Sequence, residues 1–279
     1  MSQVAFLGWV FVSSILAGLL GALTGLGGGV VIVPALTVLF GVDIHYAIGA
    51  SLVSVIATSS GAAAAYVREG FSNVRIGMFL EIATTLGAIL GAYLTAEVST
   101  HWIGIIFGVV LLFSAYQSLK QRPYLARAKN PNWLAGKLRL HGAFPADGGN
   151  QEEYSAQNVP AGFGLMFVAG TLSGLLGIGS GAVKVLAMDQ AMKLPFKVST
   201  TTSNFMIGVT AAASAGIYLN RGYIDPGLAM PVMLGVLLGS LVGSKILVKA
   251  RVKTLRMIFG IVIVLLGLEM IYNSVTGRL

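Results

Sequence analysis

Two glycine-rich breaks interrupt apolar stretches of the chain, and they are the first candidates for chemistry. The first reads Gly25-Leu26-Gly27-Gly28-Gly29 and the second reads Gly177-Ile178-Gly179-Ser180-Gly181. Glycine permits sharp turns and lets a ligand approach backbone N–H groups. Each break precedes a short apolar run that predicts a helix, whose free N–H groups favour an anion. The predicted anion-binding residues are Gly27, Gly28, Gly29, Gly179, Ser180 and Gly181.

Lys184 lies within the first turn after the second break. A cation inside a membrane segment is costly unless it is paired or hydrated, so it is a functional candidate by default. The alternative is that its amine extends to a lipid headgroup. Its place beside the glycine break favours binding of an anion.

Hydroxyl groups follow each break in the next apolar segment. A single Ser or Thr usually bonds to a carbonyl of its own helix, but a polar run favours binding of oxyanion oxygens. The candidates are Ser51 and Ser54 in the first half and Thr200, Thr201, Thr202, Ser203 and Asn204 in the second.

Two acids within apolar segments are candidates for a proton relay. Glu81 lies about two turns into its segment, where Arg75 or water could also satisfy it. Asp189 precedes Lys193 by four residues, the spacing of a local ion pair. The sequence contains no cysteine and no nucleophile–histidine pairing or cluster of metal ligands. It therefore predicts no catalytic residue, metal site or cofactor, and the chain is interpreted as a non-enzyme.

The composition requires a membrane around these residues. Of 279 residues, 56% are hydrophobic and only 10% are charged, and the mean hydropathy is +0.84. A soluble domain has about 25% charged residues. This excludes a soluble enzyme, a disulfide scaffold and a disordered chain. The formal net charge of +8 bears on topology and anionic lipid, and no nucleic-acid partner is predicted.

Apolar runs of about 20 residues predict spanning helices. Two shorter runs, Gly29–Phe40 and Gly181–Met192, follow the breaks and are too short to span as straight helices. The predicted spans are Val4–Thr24, His45–Val67, Val74–Ala96, Trp102–Leu119, Pro160–Gly177, Pro195–Leu219, Pro226–Val248 and Thr254–Tyr272.

The distribution of Lys and Arg predicts the orientation. These residues concentrate in the gaps 68–75, 120–159, 193–197 and 245–256, whereas the opposite gaps hold only Arg221 and Arg278. Basic gaps are cytoplasmic, which places both termini outside. The first apolar segment lacks the basic start of a signal peptide, so we interpret it as a retained helix of a multi-pass plasma (inner) membrane protein.

The two halves repeat each other. Gly25, Gly27 and Gly29 recur at a constant spacing as Gly177, Gly179 and Gly181, and the position of Lys184 corresponds to Ile32. The chain divides into a first membrane repeat (1–119), a cytoplasmic linker (120–159) and a second membrane repeat (160–279). Within the linker, Pro131–Leu138 is a candidate interfacial helix. The orientation makes the repeats inverted, each with a glycine-broken helical hairpin plus three spanning helices. This all-α, polytopic architecture is typical of secondary transporters, although a duplication kept only for packing is the alternative.

The motifs resemble those of the TauE/SafE family over nearly the whole chain except the linker. They are Gly25–Gly29 running into Val33-Pro34, Gly177–Ala182, and Thr200–Asn204. The resemblance implies export of a small anion, sulfite or an organosulfonate. Proton- or sodium-coupled uptake of a sulfur-containing anion, or a non-transport membrane scaffold, are the alternatives. A lipid bilayer is the implied partner, and the oligomeric state, including a homo-oligomer, stays open.

Overall fold

The chain folds into a helical bundle. The computed structural model describes residues 2–24, 28–68, 72–119, 133–145, 151–249 and 252–277. In lipid, helices satisfy all backbone hydrogen bonds within one segment, which is why apolar runs take this form. The described helices are α1 (Gln3–Thr24), α2 (Gly29–Pro34), α3 (Ile44–Arg68), α4 (Val74–Leu94), α5 (Thr100–Leu119), α6 (Trp133–Lys137), α7 (Val159–Leu176), α8 (Gly181–Leu186), α9 (Phe196–Asn220), α10 (Pro226–Lys249) and α11 (Val252–Val275).

The eight predicted spans correspond to α1, α3, α4, α5, α7, α9, α10 and α11, with ends that differ by a few residues. The short helices α2 and α8 are each continued by a π-helical turn, Ala35–Leu39 and Ala187–Ala191. These turns occupy equivalent positions in the two halves. Within the described residues, four windows are long and apolar enough to cross a membrane: Val4–Gly21, Val74–Leu94, Thr100–Gln117 and Val159–Leu176. The all-α membrane fold is thus confirmed.

One element is an addition to the predicted fold. After α6, which lies inside the predicted Pro131–Leu138 helix, the chain forms an antiparallel hairpin of β1 (His141–Pro145) and β2 (Gln151–Ser155). Each strand has only five residues, too few for a clear alternating pattern. The hairpin buries Phe144 and Tyr154, whose rings lie 6.1 Å apart.

The hairpin docks on the start of α4. The amide of Asn73, the residue that caps α4, donates to the Tyr154 hydroxyl (2.9 Å). Burial raises the pKa of Tyr154 above its ordinary value, so this hydroxyl stays neutral. The segment after the hairpin is fixed as well, because the Gln157 N–H donates to the Met192 carbonyl (2.9 Å).

The packing of the helices follows the internal repeat. Helix α1 of the first half packs on α10 of the second, and the equivalent pair is α7 of the second half on α4 of the first. The pairs α3–α9 and α5–α11 each join two equivalent helices. The contact of α3 with α10 is equivalent to that of α9 with α4. Exchanging the halves therefore reproduces the main helix contacts.

Equivalent helices run in opposite directions where they meet. Gly49, early in α3, approaches the Tyr223 carbonyl that follows α9, whereas the Asn73 N–H after α3 donates to Thr202 early in α9 (3.0 Å). In the second pair, His101 at the start of α5 contacts the Ser274 carbonyl at the end of α11. Both pairs of equivalent helices are therefore antiparallel.

Many of the repeated glycines lie in close helix contacts. A Cβ atom on Gly91 in α4 would overlap the Thr171 carbonyl of α7, and one on Gly174 in α7 would overlap the Ala88 carbonyl of α4. In the equivalent pair, a Cβ on Gly18 of α1 would overlap the Val236 carbonyl of α10. Small residues let membrane helices approach backbone to backbone. These glycines therefore serve packing, and the breaks must be judged separately.

Candidate functional site

The second glycine break reverses the chain between α7 and α8. Gly177 and Gly179 have φ angles of +67° and +70°, in the left-handed region that side chains disfavour. The Gly177 N–H donates to the Ser173 carbonyl (2.8 Å) and ends α7. Ser180 also has a positive φ, +47°, and its buried hydroxyl has no hydrogen-bond partner.

The first break meets the second inside the protein. Gly28 and Gly29 are described and buried, whereas Gly27 lies outside the described residues. A Cβ atom on Gly29 would lie 2.6 Å from the Ser51 hydroxyl and 3.1 Å from the Gly177 carbonyl oxygen. The start of α2 thus contacts the end of α7, so the structure brings together two motifs that are far apart in the sequence.

Two equivalent serines hold the breaks. Ser51 in α3 donates to the Gly177 carbonyl (2.8 Å), and Ser203 in α9 donates to the Gly181 carbonyl (3.3 Å). Both side chains are buried. The Ser51 hydroxyl satisfies a carbonyl at the end of α7 that would otherwise lack a partner, whereas the Ser203 hydroxyl ties α9 to the first residue of α8. These two predicted residues position the backbone of the second break.

Lys184 is the centre of a buried ionic group. Its side chain is fully buried, with 0% exposure, and its Nζ donates to the Thr210 hydroxyl at 2.5 Å. Thr210 in turn donates to Glu81 Oε1 at 2.7 Å, and the Thr85 hydroxyl lies 3.3 Å from the same oxygen. The other carboxylate oxygen of Glu81, Oε2, is buried without a partner. Helices α8, α9 and α4 therefore place an amine and a carboxylate on either side of one hydroxyl.

The remaining predicted hydroxyls have local partners. Ser54, Thr200 and Thr201 each donate to a carbonyl of their own helix, the ordinary behaviour of such residues. Thr202 accepts from the Asn73 N–H and ties α9 to the start of α4. Asn204 is half-buried in α9.

Asp189 is buried in the π-helical turn after α8, and its Oδ2 accepts from the Gln190 amide (3.3 Å). Of the two predicted proton-relay acids, Glu81 is the one bonded to the hydroxyl that contacts Lys184. Across the described residues, no three His, Asp or Glu side chains are grouped as metal ligands.

Sequence reasoning missed Thr210, the residue that bridges the two charges. A signal for it exists in the repeat, because Ser203, Ile207 and Thr210 in α9 correspond to the residues Ser51, Val55 and Thr58 in α3. At spacings of four and three residues, each set forms one helix face. Ile207 and Val55 also border Gly179, so both faces line the second break.

A buried ionic group beside two broken helices within a repeated helical bundle is the arrangement of secondary transporters. The fold and the site thus define a polytopic membrane transporter. The family described as sulfite exporter TauE/SafE matches residues 10–270. The chain belongs to this family, which confirms the resemblance seen in its motifs.

The relatives are described in the same terms. The probable membrane transporter protein YunE of Bacillus subtilis (strain 168) is 32% identical over 95% of this chain and 97% of its own length. YdhB of the same organism, also a probable membrane transporter protein, is 28% identical over 81% and 82%. A probable membrane transporter protein of Methanocaldococcus jannaschii is 23% identical over 92% of each chain. No solved structure matches.

Proposed function

We propose that this transporter exports a small sulfur-containing anion, sulfite or an organosulfonate, by alternating access. The observation that carries the proposal is the fully buried Lys184 side chain in α8, the short helix that begins at Gly181 of the second break. A buried ammonium group in a membrane protein requires an anionic partner or water. The family description names sulfite export, and sulfite is a small anion that such an amine can bind.

Polar groups around Lys184 can complete a site for an oxyanion. The Ser180 hydroxyl is buried without a partner, so it can donate to an anion oxygen. Thr210 already contacts the amine. Unpartnered buried polar groups are rare and call for an explanation, and an incoming ligand provides one. We assign the substrate to this region, together with the backbone of Gly28, Gly29, Gly179 and Gly181.

The proposed transport motion is a rocking of the two inverted halves against each other. The antiparallel contact of the equivalent helices α3 and α9 supports an inverted arrangement, in which an axis in the plane of the membrane relates the halves. Rocking of one inverted repeat against the other around a central site is a recognised mode of alternating access. We place both termini outside and the linker in the cytoplasm, following the distribution of basic residues.

The membrane potential supports the outward direction. An inside-negative potential drives each negative charge outward by about 2.3 kcal/mol per 100 mV. Export that moves net negative charge out of the cell therefore needs no further energy source.

Coupled uptake of a sulfur-containing anion is the second candidate. It is favoured by one observation, the buried Glu81 carboxylate joined through Thr210 to Lys184. A carboxylate at this depth is a candidate carrier of a proton or a binding group for sodium. Direction then depends on the ion gradients.

The test is efflux of radiolabelled sulfite from proteoliposomes with an imposed potential. We expect the wild-type protein to release sulfite faster than protein-free vesicles, and Lys184→Met to abolish the difference because the anion loses its cation. Lys197→Met is the matched control, since Lys197 is exposed at the start of α9 and its loss should leave efflux unchanged.

Folding must be checked separately, because Lys184→Met leaves the Glu81 carboxylate buried without its cation. The double variant Lys184→Met/Glu81→Gln removes both charges and should elute as a monodisperse species without transporting sulfite. Absence of sulfite movement by wild-type protein under any gradient would exclude sulfite as the substrate. Sulfoacetate and thiosulfate would then be tested in the same assay.

A further inference from the structure

The ionic group joins Glu81 of the first half to Lys184 and Thr210 of the second, and it has no charged counterpart at the equivalent repeat positions. The repeat positions of Lys184, Thr210 and Glu81 in the other half are Ile32, Thr58 and Met233. The hydroxyl is kept in both halves, whereas both charges are replaced by apolar side chains. The fold of a repeat therefore does not require the charged pair. The free-energy cost of burying these two charges in a membrane protein needs another explanation.

Glu81 contacts no other charged group in the described part of the molecule. Its neighbour α7 carries no ionisable residue. On α9, Lys197 is exposed near the linker, and Tyr218 donates to the Gly174 carbonyl at the opposite end of the helix. Asp189 beyond α8 is bonded to Gln190, and Tyr154 of the hairpin is bonded to Asn73. Lys184, reached through Thr210, is thus the counter-ion of Glu81.

The charge of the group constrains what can bind there. With Lys184 protonated and Glu81 ionised, the buried group is neutral. A monovalent anion bound at Lys184 adds one uncompensated negative charge, and an unpaired buried charge is strongly unfavourable. Uptake of one proton by Glu81 restores neutrality. Its oxygen Oε2 is free to take that proton, since it has no hydrogen-bond partner.

We propose that Glu81 acts as an internal counter-ion that the substrate anion replaces, so that one proton binds to Glu81 whenever one anion binds to Lys184. This inference rests on the proposed function. In each cycle a proton from water forms an O–H bond at the Glu81 carboxylate as the anion takes over Lys184. Both leave on the other side, where the carboxylate loses its proton to water and pairs with Lys184 again. One proton therefore moves with each anion, in either direction.

The test compares wild-type protein with Glu81→Gln in proteoliposomes. Glutamine resembles a protonated glutamate and can still accept from Thr210, so sulfite exchange between equal concentrations should persist. Net transport should be lost in this variant, because its empty state would leave the buried Lys184 without a counter-ion, and an imposed pH gradient should drive net sulfite movement in the wild type only. Both proteins meet the same mixture of sulfite and bisulfite, so the difference reports the proton carried by Glu81. Glu269→Gln is the matched control, because Glu269 is an exposed acid on α11 and should match the wild type.

Each outcome decides the matter. Net sulfite transport by Glu81→Gln at the wild-type rate, or loss of exchange in the folded variant, would overturn the inference and leave the proposed function intact. Absence of sulfite exchange by wild-type protein would overturn the proposed function and this inference with it. If Glu81→Gln does not fold, the infrared difference spectrum of wild-type protein on adding sulfite replaces it. A new band of a protonated carboxyl group is then expected, and its absence overturns the inference.

Discussion

Single hydroxyl groups near the breaks fall into two classes by their partners. Ser51 and Ser203 bond to carbonyls of a different segment, whereas Ser54 and Thr200 bond within their own helices. The residue types are the same, so the sequence cannot separate the classes. Only the contact across the break shows which hydroxyl holds the site.

This difference predicts unequal effects of two neighbouring substitutions. Ser51→Ala leaves the buried Gly177 carbonyl without the 2.8 Å bond from Ser51, and an unsatisfied buried group costs about 1–3 kcal/mol. Ser54→Ala removes only a second bond to a carbonyl of its own helix and should have little effect. Thermal unfolding of the purified variants in detergent measures both. Equal melting temperatures for the two variants would contradict the role of Ser51.

At the level of helices, the apolar pattern predicts most of the structure. Spans such as His45–Val67 emerge as helices because long apolar runs are bounded by Gly, Pro or charged residues. Local sequence patterns do not predict the hairpin after α6, which consists of two five-residue strands and docks against Asn73. Local patterns also do not predict the bond between Thr210 and Glu81, because these residues are 129 positions apart. Such tertiary contacts leave no local periodicity.

Glycines of the breaks cannot be told in sequence from glycines at the close helix contacts, such as the α4–α7 seam. At both kinds of position the structure depends on the absence of a Cβ atom. The structure separates them. In α7, a Cβ on Gly174 would overlap the Ala88 carbonyl, whereas a Cβ on Gly164 meets nothing within 4 Å. Glycine is therefore required where α7 touches α4 and not along the whole of α7.

Two substitutions within α7 test this distinction. Gly174→Ala should force α7 away from α4 and destabilise the protein, since overpacking a tight contact costs about 1–3 kcal/mol. Gly164→Ala should keep or slightly raise stability, because alanine favours a helix by up to about 1 kcal/mol over glycine. Unfolding temperatures in detergent give the comparison. A tolerated Gly174→Ala would mean that the α4–α7 seam has more room than its contacts indicate.

For the molecule as a whole, the relative directions of the helices agree with the topology that the distribution of basic residues predicts. Along the contact between α4 and α7 the residue numbers of both helices increase in the same direction, from Thr84–Gly170 to Ala88–Gly174. These two helices are therefore parallel. Both begin next to the linker segment that carries the basic residues. If that segment is cytoplasmic, α4 and α7 both run outward, as the inverted arrangement requires.

This orientation is directly testable because the chain contains no cysteine. Glu97 follows α4 and Glu153 lies in β2, and both are exposed. With a membrane-impermeant maleimide, Glu97→Cys should be labelled in intact cells, whereas Glu153→Cys should be labelled only after permeabilisation. Thr276→Cys, beyond the end of α11, should behave like Glu97→Cys. Labelling of Glu153→Cys in intact cells would reverse the orientation and place the linker on the outer face.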